Sequence, residues 1–158
     1  RSRFSRDEAE HEFHVLESTD WVNIIPVTPA REVVLVRQFR HGIGDCTLEI
    51  PGGMVDAGDP SPMVAARREM IEESGYDTDR VEALGSIHPN PAIQSNVCHS
   101  FVAWDVERRH DTHFDTTEET EVVLVPFASV PDLTRGGEIT HALVVVAFHW
   151  LALRFRAP

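Results

Sequence analysis

Cysteine is scarce in this 158-residue chain, where only Cys46 and Cys98 occur. Two thiols so far apart form neither a disulfide framework nor a zinc-ligand pattern, and they fit a reducing, cytoplasmic setting. Basic residues are also few, 14 Lys and Arg against 26 Asp and Glu, for a formal charge of −12. That balance excludes a general attraction to nucleic-acid backbone or to an anionic membrane. An acidic protein that handles a polyanion therefore needs cations to mediate the contact. A long apolar run is missing as well. The longest, ALVVVAFHWLAL at 142–153, has a histidine inside it and is shorter than the roughly 20 residues that cross a bilayer. It is read as a buried helix. No charged-then-apolar leader opens the chain, which starts RSRFSRDEAEHEF. With 42% hydrophobic and 25% charged residues, the composition fits one globular domain over 1–158 with a sizeable core.

Alternation and β-branched content predict strands over 21–27, 32–39, 46–50, 97–104 and 121–127, with 13–18 a weaker candidate. Helices are expected over 61–74, closed by Gly75, and over 139–154, with a short one at 128–135. The polar stretch ERRHDTHFDTTEET at 107–120 reads as an exposed loop. Strands before, between and after two substantial helices indicate an α/β protein, a mixed sheet sandwiched by helices.

The stretch RREMIEESGY at 67–76 holds the chemistry. Glu69, Glu72 and Glu73 lie three and four residues apart and so project from one side of a helix. Like charges at those spacings repel by a few tenths of a kcal/mol each, and acidic residues in a last turn oppose the helix dipole. An Arg68–Glu72 pair on a solvated helix would compensate, as would a divalent cation. Carboxylate oxygens suit Mg²⁺ or Mn²⁺, which share their shells with phosphates. Upstream, LEIPGGMVDAGDPSP supplies Pro51-Gly52-Gly53, a bare-backbone turn between a strand and the helix start.

Gly53 to Tyr76 resembles the Nudix box, G-x5-E-x7-R-E-U-x-E-E-x-G-U with U bulky and apolar. Arg68 to Tyr76 fits the second half position by position. In the first half, Asp59 stands where the pattern has Glu, and eight residues separate it from Arg68 where the pattern has seven. Pro62 at the first helical position, with Ser61 as N-cap, places the extra residue in the loop. A shorter Asp59 could still pair with an arginine of the helix.

The resemblance runs from about Trp21 to the C-terminus. VLVRQFRHGIGDCTLEIPGG is similar to the matching stretch of ADP-ribose and nucleotide-sugar pyrophosphatases, and Pro91 lies fifteen residues past Tyr76, where those enzymes tend to carry a proline. It implies a Nudix fold, an α/β/α sandwich, and cleavage of a nucleoside diphosphate sugar by water with Mg²⁺ or Mn²⁺. By position, Arg68, Glu69, Glu72 and Glu73 carry the catalytic face. Glu69, Glu72, Glu73 and the Gly52 carbonyl are the implied metal ligands, and Arg37, Arg40 and Glu49 the substrate-binding residues. Glu118, Glu119 and Glu121 occupy the region that supplies a general base in such enzymes, and Glu119 is selected. Where they show Gly-x-x-x-Glu after the downstream proline, this chain reads Pro-Ala-Ile-Gln-Ser-Asn at 91–96. That loss of a carboxylate favours nucleotide sugars other than ADP-ribose. The alternatives are a Nudix-fold nucleotide-sugar sensor without turnover, or an enzyme acting on a nucleoside triphosphate or isoprenoid diphosphate. Phe13 and Val15, within an extension over 1–18, offer a strand for a homodimer.

Overall fold

A computed structural model describes residues 2–6, 9–112 and 120–154. Its centre is β3 (Trp21–Val27), the strand with buried residues along nearly all its length. On one side β3 runs parallel to β9 (Cys98–Trp104), which pairs antiparallel with β8 (Val81–Ile87). On the other side it meets β4 (Glu32–Arg40) at Val27↔Val33 and then separates from it. The gap is filled by β5 (Asp45–Glu49), which pairs with β4, and by β6 (Gly52–Met54), which pairs with β3. β11 (Thr120–Pro126) closes the far edge against β4. The sheet is mixed, as the pattern of strands and helices predicts, and the wedge between β3 and β4 is where the functional groups collect.

Alternation along β3 sends Val22 and Ile24 to one face and Ile25 and Val27 to the other. The first face packs on α1 (Pro62–Ser74) through Ala65, Ala66 and Met70. The second packs on α3 (Ala142–Arg154) through Val144, Ala147 and Leu151. The expected buried helix at 142–153 is therefore corrected: α3 buries one stripe, while Val145 and Leu153 are exposed. Its start is also later than 139. Ile139 sits in the core as an anchor ahead of the helix, and the His141 carbonyl accepts the first helical N–H bonds, from Val144 at 3.0 Å and Val145 at 3.1 Å. The short helix expected at 128–135 is α2 (Val130–Gly136), entered through a 3₁₀ turn at Phe127–Ser129.

The other corrections lie at short or irregular strands. Ser2–Arg6 (β1) and Ala9–Phe13 (β2) form a hairpin that precedes the expected strand at 13–18, and beyond β2 only a bridge, Leu16↔Gln94, continues the pairing. Glu107–Arg108 is a short strand, β10, paired with β7 (Tyr76–Asp77), so the expected loop at 107–120 begins in strand pairing. β8 is absent from the sequence reading because VEALGSI alternates poorly. Its irregularity has a cause: the register shifts between Ala83 and Gly85, and a Cβ at Gly85 would press into the Trp150 indole of α3.

Candidate active site

α1 begins as its sequence dictates. Ser61 is extended (φ −162°, ψ 159°) and its hydroxyl accepts from the Val64 amide, Pro62 occupies the first turn, and Gly75 ends the helix in the left-handed region at φ 74°. The extra residue of the 53–68 interval is thus absorbed before the helix, and the phase of the glutamates is intact. Their environments nevertheless differ. Glu73 is 7% exposed, on the same face as Met70, and its Oε2 accepts a hydrogen bond from the Gly52 amide at 3.1 Å. Glu69 reaches the adjacent glycine, where its carboxylate fills the space that a Cβ at Gly53 would need. Glu72 is turned outward, half exposed.

Arg68 gathers the surrounding acids. Its guanidinium donates to Glu69 Oε1 at 2.9 Å, Glu72 Oε2 at 2.9 Å, the Met54 carbonyl at 3.1 Å, and Asp59 Oδ2 at 3.0 Å and Oδ1 at 3.3 Å. Asp59 therefore still meets the helical arginine from the longer loop. These bonds, that to Asp59 first, make the guanidinium harder to deprotonate, while Arg68 and the Asp56 amide hold Asp59 below the usual carboxylate range. Glu69 moves the other way. Burial raises its pKa, and the neighbouring Arg68 does not fully offset that. A carboxylate so placed still lacks enough positive charge.

Among the described residues no three His, Cys, Asp or Glu side chains are closed into a ready metal-ligand set. The donor set nevertheless fits a hard divalent cation: two carboxylates converge on a glycine pair where a side chain would collide, and one is under-compensated. Glu69 and Glu73, which meet at Gly52 and Gly53, are the best placed to hold it, whereas Glu72 shares the Arg68 guanidinium with Glu69 but is the more exposed.

Gly52 and Gly53, expected as a turn, instead begin strand β6 against β3, and beside them opens a cleft of about 320 Å³, reached by Trp21, Asn23, Arg40, Glu49, His141 and Leu143. Arg40 and Glu49 sit together here as a bidentate pair, both contacts at 2.7 Å, with Glu49 Oε1 also bonded by the Thr47 hydroxyl. Burial would raise the Glu49 pKa, but the Arg40 and Thr47 bonds outweigh it and hold the carboxyl below its ordinary value. Arg37 does not join this group. It pairs across the outer strands with Glu121 at 3.3 Å, and both side chains are exposed. Glu118 and Glu119 lie outside the described residues. Cys98 lines the cleft with its thiol pKa pushed up by burial to about 11, which keeps it protonated. His110 approaches Asp77 at 3.4 Å, a bond that ties the segment after β10 to β7.

Asn23 and His141, which line the cleft, and Thr47, which bonds Glu49 from the buried side, are residues that sequence reasoning did not select. No motif spacing links them, because they meet only after the sheet and α3 have formed.

A NUDIX domain profile matches residues 18–145. The chain is 34% identical over 129 residues to a GDP-mannose pyrophosphatase of Salmonella typhimurium (strain LT2), an alignment covering 77% of this chain and 66% of that protein. The chain thus spans slightly less than two thirds of that relative's length. It is 26% identical over 134 residues to an ADP-ribose pyrophosphatase of Bacillus subtilis (strain 168), covering 84% of this chain and 72% of the relative. A crystal structure described as an ADP compounds hydrolase superposes with a TM-score of 0.75 at 26% identity, over 87% of this chain and 75% of the other.

Proposed function

This chain belongs to the NUDIX domain family, and from that membership we propose that it hydrolyses the diphosphate bridge of a nucleoside diphosphate sugar, giving a nucleoside monophosphate and a sugar phosphate. The observation that carries the reading is the meeting of Glu69 and Glu73 at Gly52 and Gly53, the start of β6, with a cleft of apolar and charge-paired walls directly beside it. The pyrophosphatase activities named for two relatives support it.

Water attacks one phosphorus and the bridging P–O bond breaks. The water's proton passes to a base, for which we take Glu119, and the bridging oxygen leaves on the other phosphate. Glu69 and Glu73, with the Gly52 carbonyl and Glu72 as further candidates, hold a divalent ion, taken as Mg²⁺ or Mn²⁺. When bound, the ion neutralises the phosphate oxygens and stabilises charge on the leaving group. The Gly52 amide fixes the Glu73 carboxylate by a direct hydrogen bond. Arg68 holds Glu69 and Glu72 in place and offsets their mutual repulsion. Arg40 is held toward the cleft by Glu49, where it can meet the sugar side of the substrate, and Arg37, on β4 between β11 and β5, is assigned to phosphate or the terminal ribose.

We take the protein to be cytoplasmic, supported by two free thiols, and homodimeric, supported by the exposed Phe13 and Leu16 beside the N-terminal hairpin. Light scattering on the purified protein reads the dimer directly. The reaction itself is tested by incubating ADP-ribose, GDP-mannose and the common ADP- and UDP-sugars with the protein and a divalent ion and identifying the nucleotide released. Tight binding with no product would support the non-catalytic sensor instead.

A further inference from the structure

The cleft beside the glycine pair contains polar atoms that the protein itself leaves unsatisfied. Asn23 is 6% exposed, and its amide nitrogen donates to the Leu143 carbonyl at 3.3 Å. That bond fixes the amide's orientation, since the reverse would set two carbonyl oxygens against each other. Asn23 Oδ1 is left without a donor, and so is Nδ1 of His141 without a partner. Neither atom reaches bulk solvent, so each is a buried polar group without compensation inside the protein. Both residues line the cleft.

The rest of the wall narrows what the ligand can be. Arg40 and Glu49 cancel each other's charge in a bidentate pair, so the cleft offers no free positive charge to a phosphate. Trp21, Leu143 and Val144 supply apolar surface. An acceptor that needs a donor, a second unpartnered nitrogen, and flat apolar walls together match a hydroxylated, uncharged ring.

We propose that this cleft is the sugar subsite and that Asn23 and His141 determine specificity there, each bonding a hydroxyl of the sugar while the diphosphate lies over Gly52 and Gly53. The assignment rests on the hydrolase reading above and deepens it. It also accounts for the relation of α3 to the sheet, because the residue that caps that helix is His141 and its first turn supplies the Leu143 carbonyl that orients Asn23.

The test compares wild type, Asn23→Ala and His141→Ala on a nucleoside diphosphate sugar and on the methyl ester of the same nucleoside diphosphate, which lacks the sugar. Each substitution is expected to lower the ratio of kcat/KM for the sugar substrate to that for the methyl ester by roughly tenfold, mostly through KM. Equal losses on both substrates, or no change in the ratio, would overturn the assignment. Asn23 is deeply buried, so melting curves accompany the assay, and if Asn23→Ala does not fold the less buried His141 decides alone. If the wild type hydrolyses no nucleotide sugar, the hydrolase reading has failed. Calorimetry with ribose 5-phosphate, mannose 1-phosphate and inorganic phosphate then tests the cleft by itself. Weaker binding of a sugar phosphate by the variants, with inorganic phosphate unchanged, supports the subsite, and identical binding by all three proteins rejects it.

Discussion

At the scale of single residues, Glu69, Glu72 and Glu73 share a motif but not an environment. Glu73 is buried and bonded to a backbone amide, Glu69 is half-buried with its proton held more tightly, and Glu72, bonded like Glu69 by Arg68, is the more exposed of that pair. Substituting them should therefore have unequal effects. Glu73→Gln keeps the shape and removes the charge, and we expect turnover to fall at least about a hundredfold in steady-state assays, the scale of losing a group that stabilises transition-state charge. Near-normal activity would remove Glu73 from the metal face. Glu72→Gln should cost less than Glu73→Gln in the same assay. Asp77, in contrast, is a stability residue. Arg67 bonds it at 2.7 and 3.0 Å, which, with His110 and Thr78, holds its pKa below the ordinary 3.8. A carboxylate with a depressed folded-state pKa contributes stability that is fully present above the unfolded value and is lost as pH falls through the folded one. Asp77→Asn should thus lower stability by about 1–3 kcal/mol at neutral pH, and denaturant melts should show the gap from wild type closing below roughly pH 3.8.

At the scale of elements, two adjacent glycines do different work. A Cβ at Gly52 would collide with the Val22 carbonyl of β3, whereas one at Gly53 would collide with the Glu69 carboxylate. The first obstacle is backbone and cannot yield; the second is the end of a side chain and can. Gly52→Ala is expected to lower the melting temperature by several degrees, while Gly53→Ala should melt close to wild type and lose most activity through a displaced Glu69. Thermal melts run beside assays on the two variants separate these outcomes. α1 was readable in the sequence at both ends because its signals are local: Ser61, Pro62 and Gly75 each act within one turn. β8 was not, because its geometry answers to Trp150, a residue of α3 far along the chain. The same physics hid Asn23 and His141, whose proximity is a product of tertiary packing, and shifted the start of α3, since Ile139 is held by the core rather than by helical bonds. Asp59 shows the converse. A departure from the motif in both residue and spacing still delivers a carboxylate to Arg68, because the loop is free to adjust where the helix is not.

At the scale of the whole molecule, the separation of β3 from β4 explains why the site is where it is. β5 and β6 fill the wedge and carry Glu49 and the glycine pair into it, α1 brings carboxylates from one face of the sheet, and α3 brings His141 toward the cleft from the other. The net charge of −12 is consistent with a polyanionic substrate only if cations intervene. Dialysis against a chelator should accordingly abolish turnover, and adding Mg²⁺ or Mn²⁺ should restore it; activity that survives chelation would contradict the role given to Glu69 and Glu73. The most direct test of the account is the identity of the products formed from nucleoside diphosphate sugars in the presence of a divalent ion. A nucleoside monophosphate and a sugar phosphate are expected in equal amounts from at least one of them. Release of a nucleoside diphosphate with free sugar, or no product from any of them, would contradict it.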